Sequence, residues 1–345
     1  MSSRPLAQAL ALFSVIGLAT LVANSVKQDL ASALTLHASF DSIPDVSSPQ
    51  QNAFFGRWKL TSTATPPVYV GWLEVSNENG QLTARFSNRG GTPTPVVSLQ
   101  ITNGELVFQP AAGRRGPSPE HRARVQGDRL TGSSTSGDQT IAFVGERPPK
   151  WPAADASATH QFGPPVELFD GTSMDAFDLV RPDQPWFVIN GEMTNAPAGV
   201  KPAPGSNLRS KQKFQDYRIH AEYKLDDGAH SGIYFRGRYE MQVLGDVGKP
   251  PDKFSHMSVY GWVAPLVNAS KPDNEWQTME GTIVANKITV FLNGQKVHDN
   301  STLEAMTTNA VDPNELEPGP IQLVGNDGKI WYRKVTITPI VDTRR

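Results

Sequence analysis

The sequence predicts an all-β protein with two successive domains, a small antiparallel β-barrel or sandwich followed by a larger β-sandwich. Short runs of alternating apolar and polar residues recur from about residue 57 onward, and such alternation places one face of a strand in a core and the other in water. The 29 Gly and 28 Pro among 345 residues are typical of short strands joined by turns. Single cores rarely exceed roughly 250 residues, so a chain of this length is expected to form two.

Composition excludes several classes of function. The 32 Lys and Arg residues nearly balance the 34 Asp and Glu residues, so the chain has no basic field for nucleic acid, and a neutral partner such as a carbohydrate fits better. The chain contains no cysteine, which excludes disulfides, thiol catalysis and lipid attachment at a cysteine.

The N-terminal residues 1–25 are predicted to be a signal peptide. Arg4 precedes an apolar run over residues 5–23, and Ala23-Asn24-Ser25 is a small-x-small cleavage site. The protein is therefore expected to be periplasmic or secreted. The alternative is an uncleaved membrane anchor, because the run approaches the roughly 20 residues that span a bilayer. Residues 26–53 have the composition of a linker.

The first domain is predicted over residues 54–147. Its alternating runs are separated by pairs that tolerate the positive φ angles of tight hairpin turns. These pairs are Asn79-Gly80, Asn103-Gly104, Gly127-Asp128 and Gly137-Asp138. The pattern indicates an up-and-down meander, either a barrel or a sandwich. Residues 148–165, rich in Pro and Ala with a lone Trp151, are predicted to link the domains.

The second domain is predicted over residues 166–340, as a sandwich of two sheets. Residues 216–225 alternate strictly, which indicates a half-buried strand. Further strands are predicted near residues 186–189, 231–236, 239–244, 276–285, 287–292, 321–324 and 331–339. Only residues 301–308 look helical, as a single surface turn. His220 and His298 are expected at the surface.

No strong catalytic or metal-binding motif is present, so any chemistry must come from residues gathered across strands. Arg236, Arg238, Glu240 and Gln242 share one parity within two closely spaced strand segments. If the segments pair, these polar groups crowd one face, where Arg and Glu could bind sugar hydroxyls. The alternative is a solvated face with ordinary surface ion pairs.

A second polar and aromatic group occupies residues 256–265. His256 is as well explained by packing as by ligand binding, and Tyr260 and Trp262 accompany it. Glu275 follows turn residues and enters a strand at Trp276, where it could be catalytic or could position the turn.

These residues carry a resemblance to the 3-keto-disaccharide hydrolase domain family, a branch of the concanavalin A-like jelly rolls, over about residues 166–340. The resemblance lies in ordered blocks at 168–172, 186–193, 231–236, 239–243, 260–261, 275–276, 292–294, 319–323 and 332–335. The chain departs from the family pattern at His230, where the family commonly has Asn, and at Gly245 and Gln277.

The resemblance implies a glycosidase or lyase that cleaves glycosides already oxidised to a ketone at C3. A C3 ketone acidifies the hydrogen on C2, so a base can remove it and the C1 substituent can leave by elimination. Glu240 is then expected to be the base. Arg236, or a bound metal, would hold the enolate oxygen. Tyr260 or His256 would protonate the leaving oxygen.

The resemblance also implies a set of sugar-contacting residues. The expected substrate-binding residues are His230, Gln242, Trp262, Glu275 and Trp276. Ordinary hydrolysis would instead need two carboxylates roughly 5 to 9.5 Å apart, for which Glu240 and Glu275 are the available pair. No cofactor is expected with certainty, and a bound divalent metal is an alternative. The alternative function is a carbohydrate-binding, lectin-like module of the cell envelope without catalysis, because one fold hosts both.

Overall fold

The computed structural model describes residues 49–63, 70–88, 92–112, 116–197, 199–201, 207–325 and 328–342. The predicted signal peptide and most of the predicted linker 26–53 lie outside these ranges. The described chain begins with one helical turn, α1 (Pro49–Asn52). Within the described ranges, no helix has both the length and the apolar character needed to cross a bilayer.

Eight antiparallel strands form a closed barrel, in which each strand pairs with its neighbours along the chain and the first also pairs with the last. They are β1 (Gly56–Ser62), β2 (Val70–Glu78), β3 (Gln81–Ser87), β4 (Thr94–Thr102), β5 (Glu105–Pro110), β6 (Glu120–Gln126), β7 (Arg129–Ser136) and β8 (Gln139–Glu146). Their inward-facing apolar side chains form one core around Trp58, which is fully buried. Of the two predicted alternatives, a barrel or a sandwich, the first domain is the barrel.

The hairpin turns of the barrel have the predicted chemistry. Asn79 and Asn103 adopt positive φ angles of 56° and 52°, and each is followed by a glycine that also has a positive φ. Two successive residues with positive φ form the turn whose twist matches that of the flanking strands. These pairs therefore set the strand boundaries of β2–β3 and β4–β5.

The second part of the chain is a sandwich of two sheets with a separate core. The five-stranded sheet contains, in spatial order, β10 (Phe177–Leu179), β13 (Leu208–Phe214), β20 (Gly319–Leu323), β15 (His230–Phe235) and β16 (Tyr239–Leu244). The eight-stranded sheet contains, in spatial order, β11 (Phe187–Ile189), β12 (Glu192–Thr194), β21 (Ile330–Pro339), β14 (Tyr217–Leu225), β17 (Gln277–Val284), β18 (Lys287–Leu292) and β19 (Gln295–Thr302), with β9 (Val166–Phe169) paired to β21. The predicted all-β fold, a barrel followed by a sandwich, is confirmed.

The alternation along β14 shows how the sequence builds the sandwich core. The side chains of Tyr217, Ile219, Ala221 and Tyr223 are fully buried, while the residues between them face outward. The apolar parity therefore faces the second sheet, as the period-2 pattern predicts.

Two predictions for this region are wrong. Residues 301–308 are not a surface helical turn, because β19 continues to Thr302 and an irregular segment follows in which Leu303, Met306 and Thr307 are buried. His298 is not a surface residue either. It is buried, and its Nε2 lies 2.7 Å from the carbonyl oxygen of Met257.

Candidate functional site

The candidate site lies on the outward face of the five-stranded sheet, where paired strands bring polar residues into line. Across β15 and β16, Tyr234 stands directly opposite Glu240. The alternate residues Ile233 and Met241 point the other way, into the core. Directly opposite residues in an antiparallel pair share a face. Tyr234 and Glu240 therefore project together from the outside of the sandwich.

The same register extends this pair across the whole sheet. Tyr234 is opposite Gln322 on β20, Gln322 is opposite Arg209 on β13, and Arg209 is opposite Asp178 on β10. Arg209 Nε donates to Gln322 Oε1 at 2.7 Å. We call this line of five residues the polar row: Asp178, Arg209, Gln322, Tyr234 and Glu240.

Glu240 is the most perturbed carboxylate of the polar row. It is 6% exposed, and burial raises its pKa to about 7, an effect that the hydrogen bond from Tyr234 partly opposes. Space for its carboxylate is provided by Gly232, since a Cβ atom at that position would lie 2.4 Å from Glu240 Oε1. A carboxyl group with a pKa near neutrality can both accept and return a proton, as general acid–base catalysis requires.

Tyr234 offers Glu240 a partner in either protonation state. The Tyr234 hydroxyl lies 2.7 Å from Glu240 Oε2 and 2.6 Å from the carbonyl oxygen of Thr308. Its single proton can be donated to only one of these acceptors. When the proton goes to Thr308, the phenolic oxygen is free to accept from a protonated Glu240. When Glu240 ionises, the same hydroxyl can turn and donate to the carboxylate.

Two loop segments cover the Glu240 end of the polar row. Thr307 Oγ1 accepts the backbone N–H of Glu240 at 2.9 Å. At the same free edge of β16, the backbone N–H of Tyr260 donates to the carbonyl oxygen of Glu240 at 3.0 Å. The Tyr260 ring is half-buried, and burial together with the nearby charge of Glu240 raises its pKa. The Tyr260 phenol is therefore protonated at neutral pH.

Gln242 and His230 form a second pair on the same face. His230 Nε2 lies 3.2 Å from Gln242 Oε1. An amide oxygen only accepts, so this contact places a proton on His230 Nε2. The amide N–H groups of Gln242 have no hydrogen-bond partner among the described residues. The structure thus brings together four of the predicted site residues, Glu240, Gln242, Tyr260 and His230.

The predicted position of Arg236 needs correction. β15 ends at Phe235, and Arg236 adopts a positive φ of 52° in the turn that follows. Its buried guanidinium donates to the carbonyl oxygen of Ala285 and lies 5.3 Å from the ring centroid of Trp151. No cationic side chain is among the groups that shift the pKa of Glu240. Arg236 is therefore not part of the Glu240 face, and neither is Arg238, which bonds to Asp312 at 2.7 Å.

His256 is also not on this face. It is 1% exposed, and its ring stacks on that of Tyr223, a residue of the sandwich core. Its Nδ1 lies 2.5 Å from the carbonyl oxygen of Leu244, and its Nε2 lies 2.7 Å from the Tyr223 hydroxyl. Burial lowers its pKa, which keeps the ring neutral. Both nitrogens are occupied inside the protein, so His256 holds the loop to β16 and does not contact a ligand.

The remaining predicted contacts lie elsewhere on the sandwich. Trp262 packs edge-on against Trp72 of the barrel, with ring centroids 5.4 Å apart. Glu275 is exposed and precedes β17 of the eight-stranded sheet. Trp276 lies between the Lys224 ammonium at 4.7 Å and the Arg333 guanidinium at 4.5 Å from its ring centroid, also on that sheet. None of the three joins the polar row.

Sequence reasoning missed Tyr234, Gln322 and Arg209. A signal for Tyr234 existed, since the short β15–β16 hairpin places it opposite Glu240. Gln322 and Arg209 come from strands distant in sequence, and no local pattern identifies them. Among the described residues, no group of three or more His, Asp or Glu side chains lies where it could hold a metal ion.

Comparison with known proteins follows the same division of the chain. The model of the 3-keto-alpha-glucoside-1,2-lyase-like domain matches residues 164–338. A candidate glycosyl hydrolase from Parabacteroides distasonis is 25% identical, with 51% of this chain and 84% of that chain covered and a TM-score of 0.43. A carbohydrate-binding module from Bacillus subtilis is 12% identical, with 47% and 94% covered and a TM-score of 0.33. No curated protein matches the chain.

Proposed function

This chain belongs to the 3-keto-alpha-glucoside-1,2-lyase-like domain family, and from that premise we propose that it cleaves glycosides whose sugar is oxidised to a ketone at C3. The observation that carries the proposal is Glu240. It is a nearly buried carboxyl group with a pKa of about 7, placed on the outward face of a sheet beside the Tyr234 hydroxyl, and its backbone carbonyl accepts from the backbone N–H of Tyr260. The family description names a 3-keto-glucoside lyase, and we propose a substrate of this class for the chain.

The reaction that fits this arrangement is an elimination. The ionised Glu240 removes the proton on C2, and the electrons of that bond form an enolate whose charge rests on the C3 oxygen. The enolate electrons then form a double bond between C1 and C2 as the bond from C1 to the leaving oxygen breaks. Tyr260 supplies the proton that this oxygen needs. The products are an alcohol and a 2-hydroxy-3-keto-glycal, to which water can add.

The enolate oxygen needs donors that are fixed before the reaction begins. Gln242 is the residue we propose for this role, because its amide oxygen accepts from His230 and its amide N–H groups have no hydrogen-bond partner among the described residues. Arg236 and His256 have no part in the mechanism, since both are directed away from the Glu240 face.

Direct hydrolysis by a pair of carboxylates is less well supported. The second carboxylate would be Glu275, which is exposed and precedes a strand of the other sheet. Elimination needs only one buried base, and the face offers Glu240 in that role.

The test is to incubate the purified protein with a 3-keto-α-glucoside and with its unoxidised parent, in D2O, and to follow the products by mass spectrometry. We expect release of the alcohol from the keto sugar alone, together with a glycal that is lighter than 3-keto-glucose by one water. Glu240→Gln should slow release by roughly 10²- to 10⁴-fold, whereas Glu275→Gln should retain it. Saturable binding without release would instead favour a carbohydrate-binding module.

We also propose that the protein is exported. The support is the apolar run over residues 5–23 and the Ala23-Asn24-Ser25 site. N-terminal sequencing of the protein from the cell envelope and the medium should show a chain that begins at or near residue 26. A full-length chain recovered only with membranes would indicate an uncleaved anchor instead.

A further inference from the structure

A cavity lies at the opposite end of the polar row from Glu240. It has a volume of about 460 Å³ and is lined by residues of β10, β13 and β20 and by Val180, Val311 and Asp312. This volume is within the range of pockets that hold small ligands. Arg209 both lines the cavity and belongs to the polar row. The cavity and Glu240 therefore share one face of the sheet.

Positive charge predominates around this cavity. Arg209, Lys211 and Lys213, all from β13, line it together with the carboxylates of Asp178 and Asp312. Asp312 is already paired with the buried Arg238, which does not line the cavity, at 2.7 Å. Lys211 Nζ lies 3.9 Å from Asp178 Oδ1, and both side chains are more than half exposed, so this pair is weak. In the described part of the chain, neither Arg209 nor Lys213 has a carboxylate within salt-bridge distance.

The guanidinium of Arg209 is positioned to bind an anion. Its Nε is fixed by Gln322 Oε1, and its two terminal nitrogens have no hydrogen-bond partner among the described residues. Burial lowers the pKa of Arg209, and the charge of Asp312 offsets this only in part. An anion in the cavity would replace the water that Arg209 has lost. A guanidinium presents parallel N–H groups that match the two oxygens of a carboxylate.

The spacing along the polar row sets the size of the molecule that could use both ends. Arg209 and Glu240 are separated by three strand-to-strand steps, which is about 14 Å at the usual spacing. A single sugar ring at Glu240 would not reach Arg209. The group in the cavity would belong to the part of the substrate beyond the scissile bond.

We propose that the cavity is a subsite for a carboxylate on the aglycone, so that the substrates are acidic 3-keto-glycosides. This inference rests on the proposed function. A carboxylate fits better than a phosphate dianion, because the two acidic side chains at the cavity oppose a second negative charge. Arg209 binds the carboxylate, and Lys213 adds to the positive field.

The test uses two 3-keto-glucosides whose phenyl aglycones differ only in a remote group, carboxymethyl in one and carboxamidomethyl in the other. This choice keeps the leaving group nearly constant. We expect kcat/KM to favour the carboxylate by roughly tenfold, the effect of one charge-assisted hydrogen bond. The ratio should fall towards one in Arg209→Gln and in Lys213→Gln, and it should shrink as salt is added. Lys334→Gln, an exposed lysine on the other sheet, should keep the wild-type ratio.

Equal kcat/KM for the two compounds, or a preference that survives in the Arg209→Gln, Lys213→Gln double variant, would overturn the subsite. A stronger preference for a phosphonate analogue would overturn the choice of carboxylate. If neither compound is cleaved, the proposed function fails, but calorimetric binding of both to Glu240→Gln still decides the subsite. A tenfold tighter binding of the carboxylate would support it, and equal affinities would refute it.

Discussion

Replacing Glu240 with glutamine should make the protein inactive and, at alkaline pH, more stable. The pKa of Glu240 in the folded protein is about 7, against an ordinary value of 4.5, because burial disfavours the charged form. Each pKa unit corresponds to about 1.4 kcal/mol. Ionising Glu240 therefore costs the folded state roughly 3 kcal/mol relative to the unfolded chain, as an order-of-magnitude upper value.

The sign of this effect follows from the direction of the pKa shift. Between pH 4.5 and about 7 the folded protein keeps the proton on Glu240 while the unfolded chain has lost it, so the free energy of unfolding decreases as pH rises through this window. Below pH 4.5 both states are protonated and the penalty is absent. Above pH 7 it is fully present. Glutamine does not titrate, so Glu240→Gln should be more stable than wild type at pH 8 and closer to it at pH 4.5.

The measurement is urea denaturation of wild type and Glu240→Gln at pH 4.5 and pH 8. We expect the stability difference between the two proteins to grow by up to about 3 kcal/mol in favour of the variant at the higher pH. Glu275→Gln is the matched control, because Glu275 is exposed and its substitution should produce no such change. A pH-independent difference for Glu240→Gln would refute the buried, proton-holding carboxyl group. Its kcat on a 3-keto-glucoside should fall by roughly 10²- to 10⁴-fold.

Three further variants probe the same face. Tyr234→Phe removes a hydrogen bond that lowers the pKa of Glu240, so the acid limb of the pH–kcat/KM profile should move to higher pH. The rate at pH 7 should fall by about threefold to tenfold. Gly232→Ala would place a Cβ atom 2.4 Å from Glu240 Oε1, so kcat should fall by more than tenfold. The free energy of unfolding, measured by urea denaturation, should fall by a smaller fraction. Trp276→Ala should leave KM for the 3-keto-glucoside unchanged in steady-state assays, because Trp276 lies on the other sheet.

Local patterns predicted the strands because each strand obeys a rule that acts over a few residues. The alternation of β14 identifies its buried face, and Asn79 and Asn103 adopt the positive φ angles that their turns require. The closure of the first domain into a barrel was not predictable in this way. It depends on pairing between β1 and β8, which are far apart in sequence.

Side-chain parity does not predict the face of Arg236, because a turn interrupts the strand there. Alternation continues only while the backbone stays extended, and Arg236 leaves that conformation at a φ of 52°. Glu240 and Gln242 lie within β16 and keep the predicted face. The prediction for His256 was wrong for a different reason, because its packing against Tyr223 joins segments 33 residues apart.

The barrel contacts the segment that holds Tyr260 and the chain just beyond the segment that holds Thr307, and this gives the first domain a structural role in the site. Trp72 packs against Trp262, which follows Tyr260 in one segment. Lys59 Nζ donates to the carbonyl oxygen of Pro313 at 3.0 Å, just beyond the other segment. Because the burial of Glu240 depends on these segments, contacts made by the barrel should influence its pKa.

Thr92 gives a direct test of this dependence. Its Oγ1 donates to the carbonyl oxygen of Gly261 at 3.0 Å, next to Tyr260, whose backbone N–H bonds to Glu240. Thr92→Val keeps the shape of the side chain and removes one hydrogen bond. The loss of about 1 kcal/mol of stabilisation should lower kcat/KM by roughly fivefold. Looser cover admits water to Glu240, so its pKa should fall from about 7 and the acid limb of the pH–kcat/KM profile should move to lower pH. Thr94→Val, which alters a bond inside the barrel, should leave that limb in place. If the limb of Thr92→Val does not move, the barrel does not control the burial of the base.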